Sequence, residues 1–154
     1  MQTNDLAYAD FQEAYTQVNL VTKELYSSAK KFVETVEPQI NQCVKKLSVF
    51  KSGPPHSYEA VFSYMSHFDE FTLSANKFFN EAKKVLEQSE NCMQRITSVT
   101  TDTSEIKPED TDLNKEITNL FHQLKSFPVR TQDLQKEMDK LENNWKRTRA
   151  KAHL

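Results

Sequence analysis

The sequence predicts an all-α fold: an antiparallel bundle of three long helices, two of them kinked or broken at Pro38 and Pro128. Three observations predict it. Apolar residues recur at alternating steps of three and four through three long stretches, the spacing of one side of an α-helix. The 154 residues include a single glycine, Gly53. Two polar, proline-bearing connections separate the three stretches. Doubly wound sheets, tight β-hairpins and phosphate-binding loops use glycine for positive φ, so one glycine speaks against all of them. A hydrophobic content of 37% beside 27% charged residues fits helices with a wide solvated side. It does not fit a parallel sheet covered on both faces.

The first helix is expected over about residues 4–50. Thr3 or Asn4 is placed to cap it, and Asp5 adds negative charge at the positive end of the dipole. Its seam reads Phe11, Tyr15, Val18, Thr22, Leu25, Ala29, Phe32, Val36, then Ile40, Cys43, Leu47, Phe50. The step from Val36 to Ile40 is four where strict alternation requires three. Pro38 sits in that step, and proline removes a donor and clashes with the preceding turn. A kink or short break near 36–40 is expected, with the seam re-aimed beyond it.

Lys51-Ser52-Gly53-Pro54-Pro55-His56 is a breaker, with Gly53 suited to the position just past a helix end. The second helix is expected over 57–97, with Ser57 as its cap. Its main row is Tyr58, Val61, Met65, Phe68, Thr72, Ala75, Phe79, Ala82, Leu86, Ser89, Met93, Ile96. A second row at intervals of seven, Phe71, Phe78, Val85, Cys92, Val99, widens the stripe, so this helix has two partners to satisfy. No glycine or proline interrupts it, which makes it the straight spine of the bundle.

Residues 98–111 are rich in Thr, Ser and acid, show no periodicity, and read as a flexible loop. The third helix is expected over 112–150. Its seam, Leu113, Ile117, Leu120, Leu124, Phe127, Thr131, Leu134, Met138, Leu141, Trp145, keeps its phase through Pro128. That favours a bent but continuous helix, although the residue before a proline avoids helical geometry. If either proline breaks its helix, the same residues make four or five helices in one bundle. The 154 residues are expected to form a single domain, 1–154.

The side chains that carry chemistry are sparse. His56, His67, His122 and His153 show no His-x-x-x-His or Glu-x-x-His spacing on one face, so no metal centre is expected. Cys43 and Cys92 fall on or beside apolar stripes and read as small buried hydrophobes. Asp69/Glu70 and Glu109/Asp110 read as solvated charges. The aromatic stripe of Phe68, Phe71, Phe78 and Phe79 reads as close-packed core before it reads as a ligand cavity. The sequence therefore predicts no catalytic residues, no cofactor and no enzyme.

Net charge is −2, which gives no global field for a nucleic acid. The one basic cluster of note is Lys146, Arg147, Arg149 and Lys151. It compensates the dipole at a helix end, and it is also the candidate contact for an anionic surface. The amino-terminal MQTNDLAYADFQEAY is polar and no run approaches a membrane span, so a cytoplasmic setting is expected. The reading is a non-enzymatic interaction or scaffold module, coiled-coil-like in its seams. It would engage a protein partner through a helix face or pair with itself. The alternative is a peripheral membrane-binding bundle that uses the basic carboxy-terminal tail.

Overall fold

The computed structural model describes residues 2–49, 55–101 and 109–152. They form three α-helices, α1 (Gln2–Val49), α2 (Pro55–Thr101) and α3 (Glu109–Lys151), with no strand among the described residues. The fold is an all-α bundle of three long helices. Both prolines lie inside continuous helices, so the four- and five-helix alternatives fall away.

The reason is where each proline points. Pro38 and Pro128 are both exposed. The carbonyl that each leaves without an amide partner, four residues earlier, can bond to water where the outer side of the helix faces solvent. The buried side chains around them hold the helix in register: Val36 and Ile40 in α1, Leu124, Phe127 and Thr131 in α3. A mid-helix proline costs about 3 kcal/mol. Burying a large apolar side chain gains about 1.5–3 kcal/mol, so two or three flanking residues suffice. Phe127, placed to break the helix ahead of Pro128, is instead 1% exposed within it. Hydroxyls also bond carbonyls around this site: Ser126 Oγ donates to the Gln123 carbonyl at 2.7 Å and Thr131 Oγ1 to the Phe127 carbonyl at 2.7 Å.

The helix boundaries extend past the sequence expectations. α2 opens at Pro55, whose fixed φ and missing donor suit a first helical position. Ser57 is thus not a cap; it lies in the first turn, buried at 8% exposure. Thr3 and Asn4 likewise fall inside α1. Residues 98–101 and 109–111, assigned to a flexible loop by composition, are helical. The remainder of that loop, 102–108, and the breaker residues 50–54 lie outside the described residues.

Burial resolves the seam of α2 differently from its sequence reading. The fully buried row is Ser57, Val61, Tyr64, Phe68, Phe71, Ala75, Phe78, Ala82, Val85, Ser89, Cys92. It keeps strict four–three alternation throughout. Alternate members of the expected main row, Met65, Thr72, Phe79, Leu86 and Met93, are only half-buried, and Tyr58 is exposed. Two expected rows are therefore one seam and its flank. In α3 every described seam position from Leu120 to Trp145 is buried as read. In α1 the phase shift lies one turn earlier than Pro38. Phe32 and Val33 share the position, both half-buried, and Val36, Ile40, Cys43 and Leu47 then follow in alternation.

The chain divides into two compact units. Unit 1 comprises Met1–Glu24 and Phe79–Thr131; unit 2 comprises Leu25–Phe78 and Gln132–Leu154. Each unit takes one stretch from every helix. Unit 1 combines the amino-terminal part of α1, the carboxy-terminal part of α2 and the amino-terminal part of α3. α2 is therefore antiparallel to both neighbours, and α1 and α3 run parallel.

Among the described residues, the core of unit 1 mixes apolar with small and polar side chains. Phe11, Val18, Val85, Cys92, Leu120, Leu124 and Phe127 are joined by buried Thr22, Ala82, Ser89 and Thr131. Thr22 Oγ1 and Ser89 Oγ find no hydrogen-bond partner. Its α2–α3 edge is tied by Arg130, which donates to both Glu81 carboxylate oxygens at 3.0 and 2.8 Å, and by Arg95 to Glu116 at 2.8 Å. Unit 2 is aromatic. Phe32 meets Phe71 edge-on at 6.0 Å and Phe68 at 6.1 Å, and Tyr64 meets Trp145 at 4.7 Å. Trp145 Nε1 donates to Gln39 Oε1 at 2.9 Å, linking α3 to α1.

Two stability predictions follow from these placements. Phe71→Ala should cost about 3–5 kcal/mol, whereas Phe79→Ala, on the half-buried flank, should cost less than half as much. Denaturant titration of both variants separates seam from flank; equal losses would return Phe79 to the core. Ser89→Ala should stabilise unit 1 by about 1 kcal/mol, because it removes a buried hydroxyl with no partner and improves helix propensity. A lowered melting temperature would contradict it.

Candidate interaction surface

The surface of interest is built by helix ends. The α3 seam positions Leu141 and Trp145 are buried, and Thr148 and Ala152 are half-buried. This periodicity leaves Lys146, Arg147, Arg149 and Lys151 exposed. Lys146 Nζ lies 3.8 Å from Glu142 Oε1, one turn back, with both side chains largely exposed. Such a pair contributes a few tenths of a kcal/mol and leaves the cation open to other anions. Arg149 Nη1 donates to Gln39 Oε1 at 3.4 Å.

Gln39 fixes more than one side chain. Because it receives both Trp145 and Arg149, it sets the carboxy-terminal turns of α1 and α3 side by side within unit 2. Lys45 and Lys46, exposed near the end of α1, therefore belong to the same end as the α3 cluster. The field of that end reaches the interior: Arg149 and Lys46 both pull the Cys43 thiol toward ionisation, against the larger effect of burial, which pushes it up. The α3 cluster is contiguous in sequence, whereas Lys45-Lys46 stands far from it along the chain. The parallel course of α1 and α3 is what joins them.

Charge is divided between the units. Unit 2 holds 12 of the 20 Lys and Arg and 9 of the 22 Asp and Glu, a formal +3. Unit 1 holds the other 8 and 13, a formal −5. A second surface lies on α2. Phe62 is 37% exposed and Leu73, eleven residues on, 72%. Eleven residues are close to three full turns, so the two share a line along the helix, with exposed Ser66 and Asp69 between them. The Tyr58 ring lies 4.7 Å from that of Phe62.

The remaining candidates hold little chemistry. His67 Nδ1 lies 3.9 Å from Glu70 on the exposed side of α2, and His122 is exposed. The side chains of His56 and His153 lie outside the described residues. Among the described residues no three His, Cys, Asp or Glu side chains gather as a metal site would require. Cys43 and Cys92 are free and buried. Phe68, Phe71 and Phe78 fill the seam of α2, with Phe68 and Phe71 against Phe32. No described helix is long and apolar enough to cross a membrane.

Burial raises four titrating groups. It pushes up the Cys43 and Cys92 thiols and the Tyr15 and Tyr64 hydroxyls, with Glu116 adding at Cys92, Glu90 at Tyr15 and Glu142 at Tyr64. Each is held protonated in the folded chain at a pH where the unfolded chain ionises. The resulting stability is intact below the ordinary values, 9.0 for the thiols and 10.0 for the phenols. It is lost as pH rises through the raised folded values. Denaturation midpoints should therefore fall progressively above about pH 9, more shallowly in the Cys43→Ala/Cys92→Ala variant; a flat profile to about pH 11 would refute the linkage.

Compared with protein-family models, with curated proteins and with solved structures, the chain has no significant match to any of them.

Proposed function

We propose that the chain is a non-enzymatic interaction or scaffold module that presents one line of α2 to a helix of a protein partner or of a second copy. The observation that carries this reading is the alignment of Phe62 and Leu73, with Tyr58 against Phe62, outside a bundle whose buried rows already serve one another. Isolated exposed apolar residues are ordinary on any surface. Three on one side of one helix, Tyr58 and Phe62 four residues apart and Leu73 about three turns on, make a docking line. A cytoplasmic setting belongs to the same reading and is in keeping with the two free thiols.

The test is site-directed photo-crosslinking in cells. A photoreactive amino acid at Ser66, between Phe62 and Leu73, is expected to capture one discrete partner or a second copy. The same group at Lys136 on α3 should capture neither. Phe62→Ser with Leu73→Ser should abolish the Ser66 adduct while circular dichroism shows the chain still helical and folded, with only a modest fall in melting temperature, since Leu73 is largely and Phe62 partly solvated. Equal labelling from both positions, or none from Ser66, would end the proposal.

A further inference from the structure

We propose that the carboxy-terminal end of unit 2, where α1 and α3 finish together, docks on an anionic lipid bilayer. The bland account of basic residues at helix ends is compensation of the macrodipole, and magnitude decides against it as the whole explanation. Two carboxy termini and the amino terminus of α2 meet at this end of unit 2. At about half a charge each, they sum to roughly −0.5. The described residues 40–49, 55–66 and 142–152 contribute six cations, Lys45, Lys46, Lys146, Arg147, Arg149 and Lys151, against two acids, Glu59 and Glu142. The formal surplus of +4 is several times what the dipoles call for, in a chain whose net charge is −2.

The same end carries apolar groups that a bilayer interface accepts. Val49, closing α1, is 73% exposed, and Tyr58, in the second turn of α2, is 40% exposed. Exposed cations beside a tyrosine and an aliphatic side chain supply the two contributions that hold a peripheral protein at a headgroup layer: attraction to anionic lipid and shallow burial of apolar surface. Arginine and lysine both serve here, because a field of headgroups demands no fixed geometry. A nucleic acid would meet the same cations, but one short helix-end cluster lacks the aromatic stacking platform and extended basic track that single strands use. Tyr58 borders both this surface and the Phe62–Leu73 line, but the cations belong to this one alone, so substituting the cations or Phe62 and Leu73 tests the two proposals separately.

The experiment is flotation of the full chain with vesicles of phosphatidylcholine alone and of phosphatidylcholine with phosphatidylserine, at low and at physiological salt. Binding is expected only to the anionic vesicles and should weaken as salt rises. Each cation at such a surface multiplies binding about fivefold, so Lys146→Ser/Arg147→Ser/Lys151→Ser should lower it by roughly a hundredfold. Lys136→Ser/Lys140→Ser, on exposed positions of the same helix away from its end, should retain most of the binding. Phe62→Ser/Leu73→Ser should bind vesicles as the parent does. Circular dichroism confirms that each variant is folded. No binding at either salt, equal binding to neutral vesicles, or tighter binding to a single-stranded RNA oligonucleotide of matched charge would overturn the proposal.

Discussion

The buried row of α2 is the constraint to which the other two helices answer. From Ser57 to Cys92 it alternates steps of four and three without a fault. A straight α-helix drifts by ~20° per heptad against such a pattern, so the seam winds slowly around the helix axis. α1 and α3 must follow that winding to keep their own rows against it. α3 does so with an unbroken pattern that runs through Pro128. α1 does so with one change of phase, where Phe32 and Val33 share the seam. Two consecutive steps of four, the local equivalent of an inserted turn, let the row catch up with the helix axis. The prolines then become tolerable, because the registers on either side of them are already fixed by burial.

What fills the seam differs between the units, and the difference carries energetic meaning. Unit 2 uses rings: Phe32, Tyr64, Phe68, Phe71 and Trp145 meet at stacked, tilted and edge-on angles. Unit 1 uses Thr22, Ala82, Ser89 and Thr131 among its buried positions and leaves the Thr22 and Ser89 hydroxyls without partners, as unit 2 leaves that of Tyr64. It adds exposed ion pairs at Glu81 and Glu116, each contributing at most about 1 kcal/mol at their level of solvent access. Among the described residues, unit 2 buries the larger side chains.

Much of this was legible from residue spacing. A single glycine and the four–three spacing specify three helices, and the α3 row can be read residue by residue. The α2 seam could not be read correctly, for a physical reason. Polar Ser57 and Tyr64, with its hydroxyl, lie in the buried row, while apolar Met65, Phe79, Leu86 and Met93 lie on its flank. Hydrophobicity then places two candidate rows one residue apart, and only the neighbouring helices choose between them. Composition also misjudged the helix ends, because Thr- and Ser-rich turns can remain helical when the row beside them continues. The basic end was half legible. The α3 cluster is contiguous in sequence, but its union with Lys45 and Lys46 depends on the parallel course of α1 and α3.

The two buried thiols have one more consequence. Cys43 belongs to unit 2 and Cys92 to unit 1, and the chain has no other cysteine. A thiol sealed in a seam reacts with an alkylating reagent only when its surroundings open. The chain therefore carries one intrinsic opening clock in each unit, both read in a single native-state alkylation time course. If unit 1 opens independently of unit 2, Cys92 will be modified on a timescale separate from that of Cys43. If the helices that traverse both units enforce a single cooperative event, the two thiols will be lost together.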